Sequence, residues 1–235
     1  MVGFILIFKH LNQLKMKKIL LLSALGIFVF YSCKKKANDP SQDVHVSVPV
    51  ITLTGSQYYS IQVGAALPTI NATAVDTYYK VSVPVVVDAS TLDNTTPGLY
   101  QVNLTATNKY GFIGYSSVYI GVTSASAALD LSGWYERSGT PTKAAYISKL
   151  ATGLFMTSNV GGVDTVASAS AVLPAVFVVT SNTTIDFGQQ STADGLLTAS
   201  NQILSLAPGD TSISYILTNP SSIFSATAVR TLVKQ

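Results

Sequence analysis

One alternation constrains this chain more than anything else in it. Tyr100, Val102, Leu104 and Ala106 are apolar, and the residues between and after them, Gln101, Asn103, Thr105 and Thr107, are polar. A period of two puts one set on each face of a strand. Val81, Val83, Val85 and Val87 alternate in the same way with Ser82, Pro84, Val86 and Asp88, and Val118, Ile120 and Val122 form a third stripe. Pro84 cannot donate to a ladder, so its strand is expected at an edge or with a bulge. Glutamate occurs once, at Glu136, and arginine twice, at Arg137 and Arg230, while Val, Thr, Ser, Ile and Tyr abound. That is strand composition. No long segment carries a helical period, so the expected fold class is all-β.

Turn residues separate the stripes at Asp93-Asn94-Thr95-Thr96-Pro97-Gly98 and at Asn108-Lys109-Tyr110-Gly111. Short strands at this spacing predict a β-sandwich over residues 46–123. The small, polar run Thr123–Ala128 reads as a joint. A second antiparallel unit, a sandwich or small barrel, is expected over 129–235. Its strand-like runs are Ala144–Leu150, Leu154–Ser158, Val172–Thr180, Thr183–Phe187, Gln202–Leu206, Ser212–Thr218 and Ile223–Leu232. Gly161-Gly162 reads as a hairpin turn.

The beginning of the chain has another character. Lys17 and Lys18 precede the apolar run Ile19–Tyr31, and Ser32 and Cys33 follow it. A positive start, a short apolar core and a small residue before a cut are the parts of an export signal. The run is too short for a span, which needs roughly 20 apolar residues. A leader over 1–32 is expected, with Met16 as the true start. Residues 33–45 read as a polar tether containing Lys34, Lys35, Lys36 and Pro40. Cys33 is the only cysteine, so no disulfide or thiolate metal site can form within the fold. The formal charge of +3 misleads, because beyond Lys36 seven basic residues stand against eleven acidic ones. No basic cluster remains there to hold phosphates, and nucleic acid is not an expected partner.

Three resemblances follow from these residues. Ser32-Cys33 resembles a bacterial lipobox, which implies a diacylglyceryl group on the Cys33 thiol and cleavage before it. The string Pro97–Asn108 with Gly111 resembles the penultimate strand of bacterial immunoglobulin-like surface domains. Ile51–Gly55, Val63-Gly64 and Ala74–Asp76 add to that likeness, which covers about 75 residues against the roughly 100 usual for the sandwich. It implies that Tyr100 is a buried tyrosine corner, its hydroxyl bonding back to the preceding loop. Leu131–Arg137, Ile147–Phe155 and Gly161-Gly162 resemble the lipocalin-like C-terminal domain of a lipoprotein family of glycan-harvesting Gram-negative bacteria. That family implies a lipid-anchored protein of the outer membrane and carries no catalytic motif. Its members often have an acidic pair after the lipidated cysteine. Lys34-Lys35-Lys36 stands here instead, which leaves the surface and periplasmic faces both open.

The chemistry that remains is narrow. Beyond the leader the only histidine is His45, at the end of the tether, so a Ser-His-Asp triad would be poorly held and zinc would lack ligands. Asp88, Asp93 and Asn94 do not form a calcium loop and read as turn residues. Glu136 beside Arg137 reads as surface contacts, and a facing carboxylate partner cannot be picked out. No cofactor is expected. Trp134 reads as the plug of the second core. Tyr78 and Tyr79 follow Asp76-Thr77 in a loop and are the candidate ligand-binding residues. The expected function is a non-enzymatic cell-envelope lipoprotein that binds a polysaccharide or an outer-membrane protein. A purely structural envelope protein and a carboxylate glycoside hydrolase stand as alternatives.

Overall fold

The alternating stripes form strands, and the computed structural model describes residues 45–138, 140–193, 195–218 and 228–235. Met16, Cys33, Lys34–Lys36, the rest of the leader and tether up to residue 44, and Ile223–Thr227 lie outside the described residues. The fold is all-β. Among the described residues the one helical element is a single 3₁₀ turn, Ala169–Ala171. Val46–Gln235 forms one compact unit.

Seven strands make two facing sheets. β1 (Val50–Leu53), β3 (Ala72–Asp76) and β4 (Val81–Val83) form an antiparallel sheet in the order β1-β3-β4. β2 (Tyr58–Gln62), β5 (Val86–Asp88), β6 (Gly98–Thr107) and β7 (Ile113–Thr123) form the second, in the order β2-β7-β6-β5. β2 runs parallel to β7, and the other pairs are antiparallel. Val102, Leu104, Val118 and Ile120 fill the space between the sheets, with Ile51, Leu53, Tyr59 and Ile61 against them.

The valine stripe does not form one strand. It breaks at Pro84, and its two halves join different sheets, β4 pairing with β3 and β5 with β6. Proline removes the ladder donor at the point where the chain changes partners.

Nine strands follow. They are β8 (Gly133–Arg137), β9 (Thr140–Ala151), β10 (Leu154–Thr157), β11 (Ala175–Val179), β12 (Ile185–Asp186), β13 (Gln190–Thr192), β14 (Gly195–Ala207), β15 (Asp210–Thr218) and β16 (Val229–Lys234). Their order is β12-β11-β10-β9-β8-β16-β15-β14-β13. The sheet curls so far that Thr184 bridges back to Ile203 on β14, and Leu204 N donates to Thr183 O at 2.8 Å. The interior is filled. Phe155, Phe177, Phe187 and Tyr215 run through it ring against ring, with centroids 4.6–5.6 Å apart. Tyr135, Ile147, Leu217 and Leu232 complete it.

The two strand systems share a seam. Every residue of β7 from Val118 to Thr123 is buried, although alternation predicts only every second one. Val118, Ile120 and Val122 are the predicted stripe, with Val118 and Ile120 facing into the sandwich. Tyr119 packs with Leu99 against Leu154, Val176 and Val178 of the curled sheet. Both faces of β11 are covered as well, so it reads as a continuous apolar run. A Cβ on Gly121 would lie 2.9 Å from Leu154 Cδ1 and Val178 Cγ2, and one on Gly188 would overlap Leu99 O. Polar bonds stitch the rim. Thr123 Oγ1 donates to Val179 O, Ser124 Oγ donates to Thr180 O at 2.7 Å, and Leu99 N donates to Asp186 Oδ2 at 2.8 Å. Along the run Thr123–Ala128, Lys149 Nζ donates to Ala127 O at 3.0 Å, and just after it to Leu129 O at 2.8 Å.

The Tyr100 hydroxyl donates to Thr96 O at 2.9 Å, the corner expected from sequence. Tyr100 is half-buried rather than buried, on the strand face opposite to Leu99 in the seam. Tyr100→Phe is expected to keep the fold and to cost about 0.5–1 kcal/mol, the lower part of the hydrogen-bond range for a solvent-accessible bond. A denaturant titration reads this as a lower midpoint with an unchanged slope.

Candidate functional site

The residues 77–80 join β3 to β4 in a four-residue turn, with Lys80 in the left-handed region (φ 53°). Tyr78 and Tyr79 stand at its tip. Tyr78 is 56% exposed and Tyr79 half-buried. Their rings meet edge-on, centroids 4.9 Å apart and planes at 84°. Sequence alone misses what Tyr79 leans on. Tyr110, from the turn between β6 and β7, packs 4.8 Å from it. Lys109 Nζ lies 4.8 Å from the Tyr110 ring centroid and 5.7 Å from that of Tyr79. A cation over ring faces is an electrostatic attraction with the ring quadrupole.

Asn108 brings the two turns together. Its Oδ1 accepts from Tyr110 N and Phe112 N, both at 3.0 Å, and so shapes its own turn. Its Nδ2 donates to Asp76 Oδ2 at 2.7 Å and to Ser47 O at 2.8 Å. Asp76 Oδ1 accepts from Ser47 Oγ at 2.6 Å and Tyr79 N at 3.1 Å. Both Asp76 and Asn108 are buried. Burial opposes ionisation of Asp76. The hydrogen bonds from Ser47, Asn108 and the backbone N–H groups of Tyr79 and Tyr78 outweigh it and hold the carboxyl below its ordinary 3.8. Asn108-Lys109-Tyr110-Gly111 is legible in the sequence as a turn. Its partnership with Asp76-Thr77-Tyr78-Tyr79 is set by which hairpin ends lie side by side.

A groove of about 310 Å3 opens beside this lock. It is lined by Asp76, Tyr79, Ser82, Pro84, Thr107 and Lys109 among others. It offers a ring edge, two hydroxyls and an ammonium, with an apolar floor from Val81 and Val83. Such a surface can stack an apolar face and hydrogen-bond a rim of hydroxyls. Two further grooves flank the seam, of about 300 Å3 beside Tyr58 and Tyr119 and about 390 Å3 beside Tyr100 and Gln101. Two amides there are engaged in the fold. Gln190 bonds both backbone groups of Val176, and Gln101 bonds Asn103 and Ser191 N.

The other sequence candidates fall as follows. His45 is exposed at the start of the described residues. Asp93 closes a turn, accepting from Thr95 N, Thr95 Oγ1 and Thr96 Oγ1 at 2.7–2.8 Å. The Thr95 and Thr96 bonds pull its carboxyl down to about 2. Asn94 Nδ2 donates to Ala65 O at 2.8 Å, again within the fold. Among the described residues no group of three His, Cys, Asp or Glu lies together. Arg137 Nη1 reaches Gly162 O at 3.5 Å. Gly161-Gly162 does not form a hairpin. It opens the long loop between β10 and β11, and Gly161 O accepts from the buried Arg230 Nε at 3.1 Å.

Trp134 does not plug the core. It is 60% exposed, and Tyr135 is the buried one. Adjacent residues of a strand face opposite ways. Tyr135 is taken inward with its hydroxyl donating to Leu131 O at 2.9 Å, so Trp134 is turned out.

No family model matches the chain. No curated protein matches it. Among solved structures it is similar to a lipoprotein from Bacteroides thetaiotaomicron, at 17% identity and a TM-score of 0.35, over 80% of this chain and 100% of that one.

Proposed function

We propose that this chain is an exported, lipid-anchored and non-enzymatic binding protein of the cell envelope, held in the outer membrane by Cys33, and that it binds a glycan at the Tyr78–Tyr79 turn. The observation that carries the reading is the braced cluster of Tyr78, Tyr79, Tyr110 and Lys109 beside an open groove. Rigid ring faces with a few placed polar groups suit a sugar, and the Asp76–Asn108 lock holds them in place before any ligand arrives. The filled interior of the curled sheet supports a surface site over an enclosed one. Among the described residues no helix is long and apolar enough to cross a membrane.

A glycan-array screen of the fragment Asn38–Gln235, which retains the compact unit from Val46 onward, tests the binding. Tyr78→Ala is expected to weaken any glycan found by about tenfold, the upper end of what one aromatic contact is worth. The thermal midpoint should move little, since the ring is more than half exposed. Unchanged affinity would move the site elsewhere. Release of product from a polysaccharide would overturn the non-enzymatic reading.

Anchoring is tested separately. A fatty-acid probe is expected to label the wild type and to leave Cys33→Ser unlabelled. Two acyl chains hold firmly at ~0.8 kcal/mol per buried methylene. Retention of the variant in carbonate-washed membranes would replace the lipid with a helix.

The exposed edge strand β5 supports a second reading, assembly with a partner protein. An uncovered edge is a template for strand addition.

A further inference from the structure

The outer face of the curled sheet carries the chain's single tryptophan. Its cross-strand partner is Tyr146 on β9, 42% exposed. The rings meet at 5.3 Å with planes at 70°, so they form an open corner. The backbone beneath is fixed on both sides. Gln235 N donates to Trp134 O at 2.9 Å, Ser158 N donates to Tyr146 O at 2.9 Å, and Tyr146 N donates to Ser158 Oγ at 2.9 Å. The row across the sheet therefore reads Gln235, Trp134, Tyr146, Ser158, with two rings between two polar ends. Two residues further along β8, Glu136 opposes Val233 and Ala144. A groove of about 250 Å3 opens there, lined by Glu136, Arg137, Thr140 and Gln235 among others.

We propose that Trp134 and Tyr146 form a second saccharide platform, with the sugar's apolar face on the rings and its hydroxyls directed to Glu136, Thr140 and Gln235. A pyranose has a C–H face that suits an aromatic quadrupole and an equatorial rim of hydroxyls that suits a mixed carboxylate, hydroxyl and amide groove. A protein partner fits less well. A stable interface buries roughly 1,200–2,000 Å2 around an apolar core, and this pair is bordered by Ser158, Gln235 and Glu136. The platform rests on the reading that the chain binds glycans, and adds a contact on a different sheet from Tyr78. Two weak contacts on one polymer reinforce each other through effective concentration.

Because Trp134 is the only tryptophan, its emission reports this platform alone. The full chain in detergent is titrated with maltoheptaose, cellohexaose and chitohexaose, following both emission and heat. A saturable emission change with at least one sugar is expected, and Tyr146→Ala should raise its half-saturation about tenfold while leaving the thermal midpoint in place. Heat of binding with unshifted emission overturns this platform and leaves the glycan reading standing. Neither heat nor shift with any of the three overturns both. An emission change that follows protein concentration without sugar assigns the face to a second copy of the chain and overturns the platform.

Discussion

Phe177→Ala is expected to lower the stability of the folded chain by about 3–5 kcal/mol. Phe177 is fully buried on β11, the strand covered on both faces. Its ring stacks on Phe155 at 5.6 Å and meets Phe187 at 5.3 Å, and Phe187 in turn meets Tyr215 at 4.6 Å. Removing it opens a void in the middle of a chain of rings. The walls cannot close on that void, because the curled sheet is tied by ladders to both sides and bridged from Thr184 to Ile203. The cost is therefore the lost transfer energy plus the retained cavity. Phe177→Leu fills most of the volume and should recover most of the loss. Chemical denaturation checks both. A loss under about 1 kcal/mol for the alanine variant would mean that the interior relaxes like a loosely packed one.

The second large effect is expected at Asp76. Asp76→Ala removes the acceptor for Ser47 Oγ, Asn108 Nδ2 and Tyr79 N at once. Three hydrogen bonds to one buried carboxylate are lost together, Asn108 Nδ2 keeping only Ser47 O, and removing the acceptor alone is the costliest way to lose hydrogen bonds. Both turns depend on the same lock, so the tyrosine cluster should loosen with the fold. The thermal midpoint should drop clearly, and under the proposed function any glycan affinity at Tyr78 should drop with it. Asp76→Asn should not rescue either, since its amide would bring a donor toward the Asn108 donor. Acid should reproduce the effect. Asp76 and Asp93 both ionise more readily folded than unfolded, so their stabilisation is complete above the ordinary 3.8. It is lost as pH falls through the folded values, with Asp93 reaching its own at about 2. The wild-type midpoint should therefore fall steeply with acid below pH 3.8, and that of Asp76→Ala less steeply. Parallel slopes would remove Asp76 from the account.

Strand composition and the stripes of β6 and β7 were legible because one face of each meets a core that alternation can see. The seam was not. Tyr119, Gly121 and Thr123 sit on the face that alternation assigns to water, and only the arrival of β10 and β11 buries them. Pro84 was legible as an obstacle to a ladder, though the change of sheet that it marks depends on which neighbours exist. Trp134 failed for a related reason. Of two adjacent aromatics one must face inward, and the pair Trp134-Tyr135 does not say which. The Leu131 carbonyl that receives the Tyr135 hydroxyl decides it. At the Tyr78 turn the exposed ring was legible, while Tyr110 and Lys109, thirty residues away, entered through the juxtaposition of two hairpin ends.

The glycines of the seam bear on how such a chain can change over time. Modules joined by loose connectors can be traded between proteins, since each brings a complete surface. Here the sandwich presents Gly121 and the Leu99 carbonyl to Val178 and Gly188 of its neighbour, at distances that leave no room for a methyl group. A foreign sheet placed on either side would have to supply the same absence of side chain at the same points. The two halves are thus bound to vary together, and a graft of either one alone should need compensating changes along β7, β11 and the turn at Gly188.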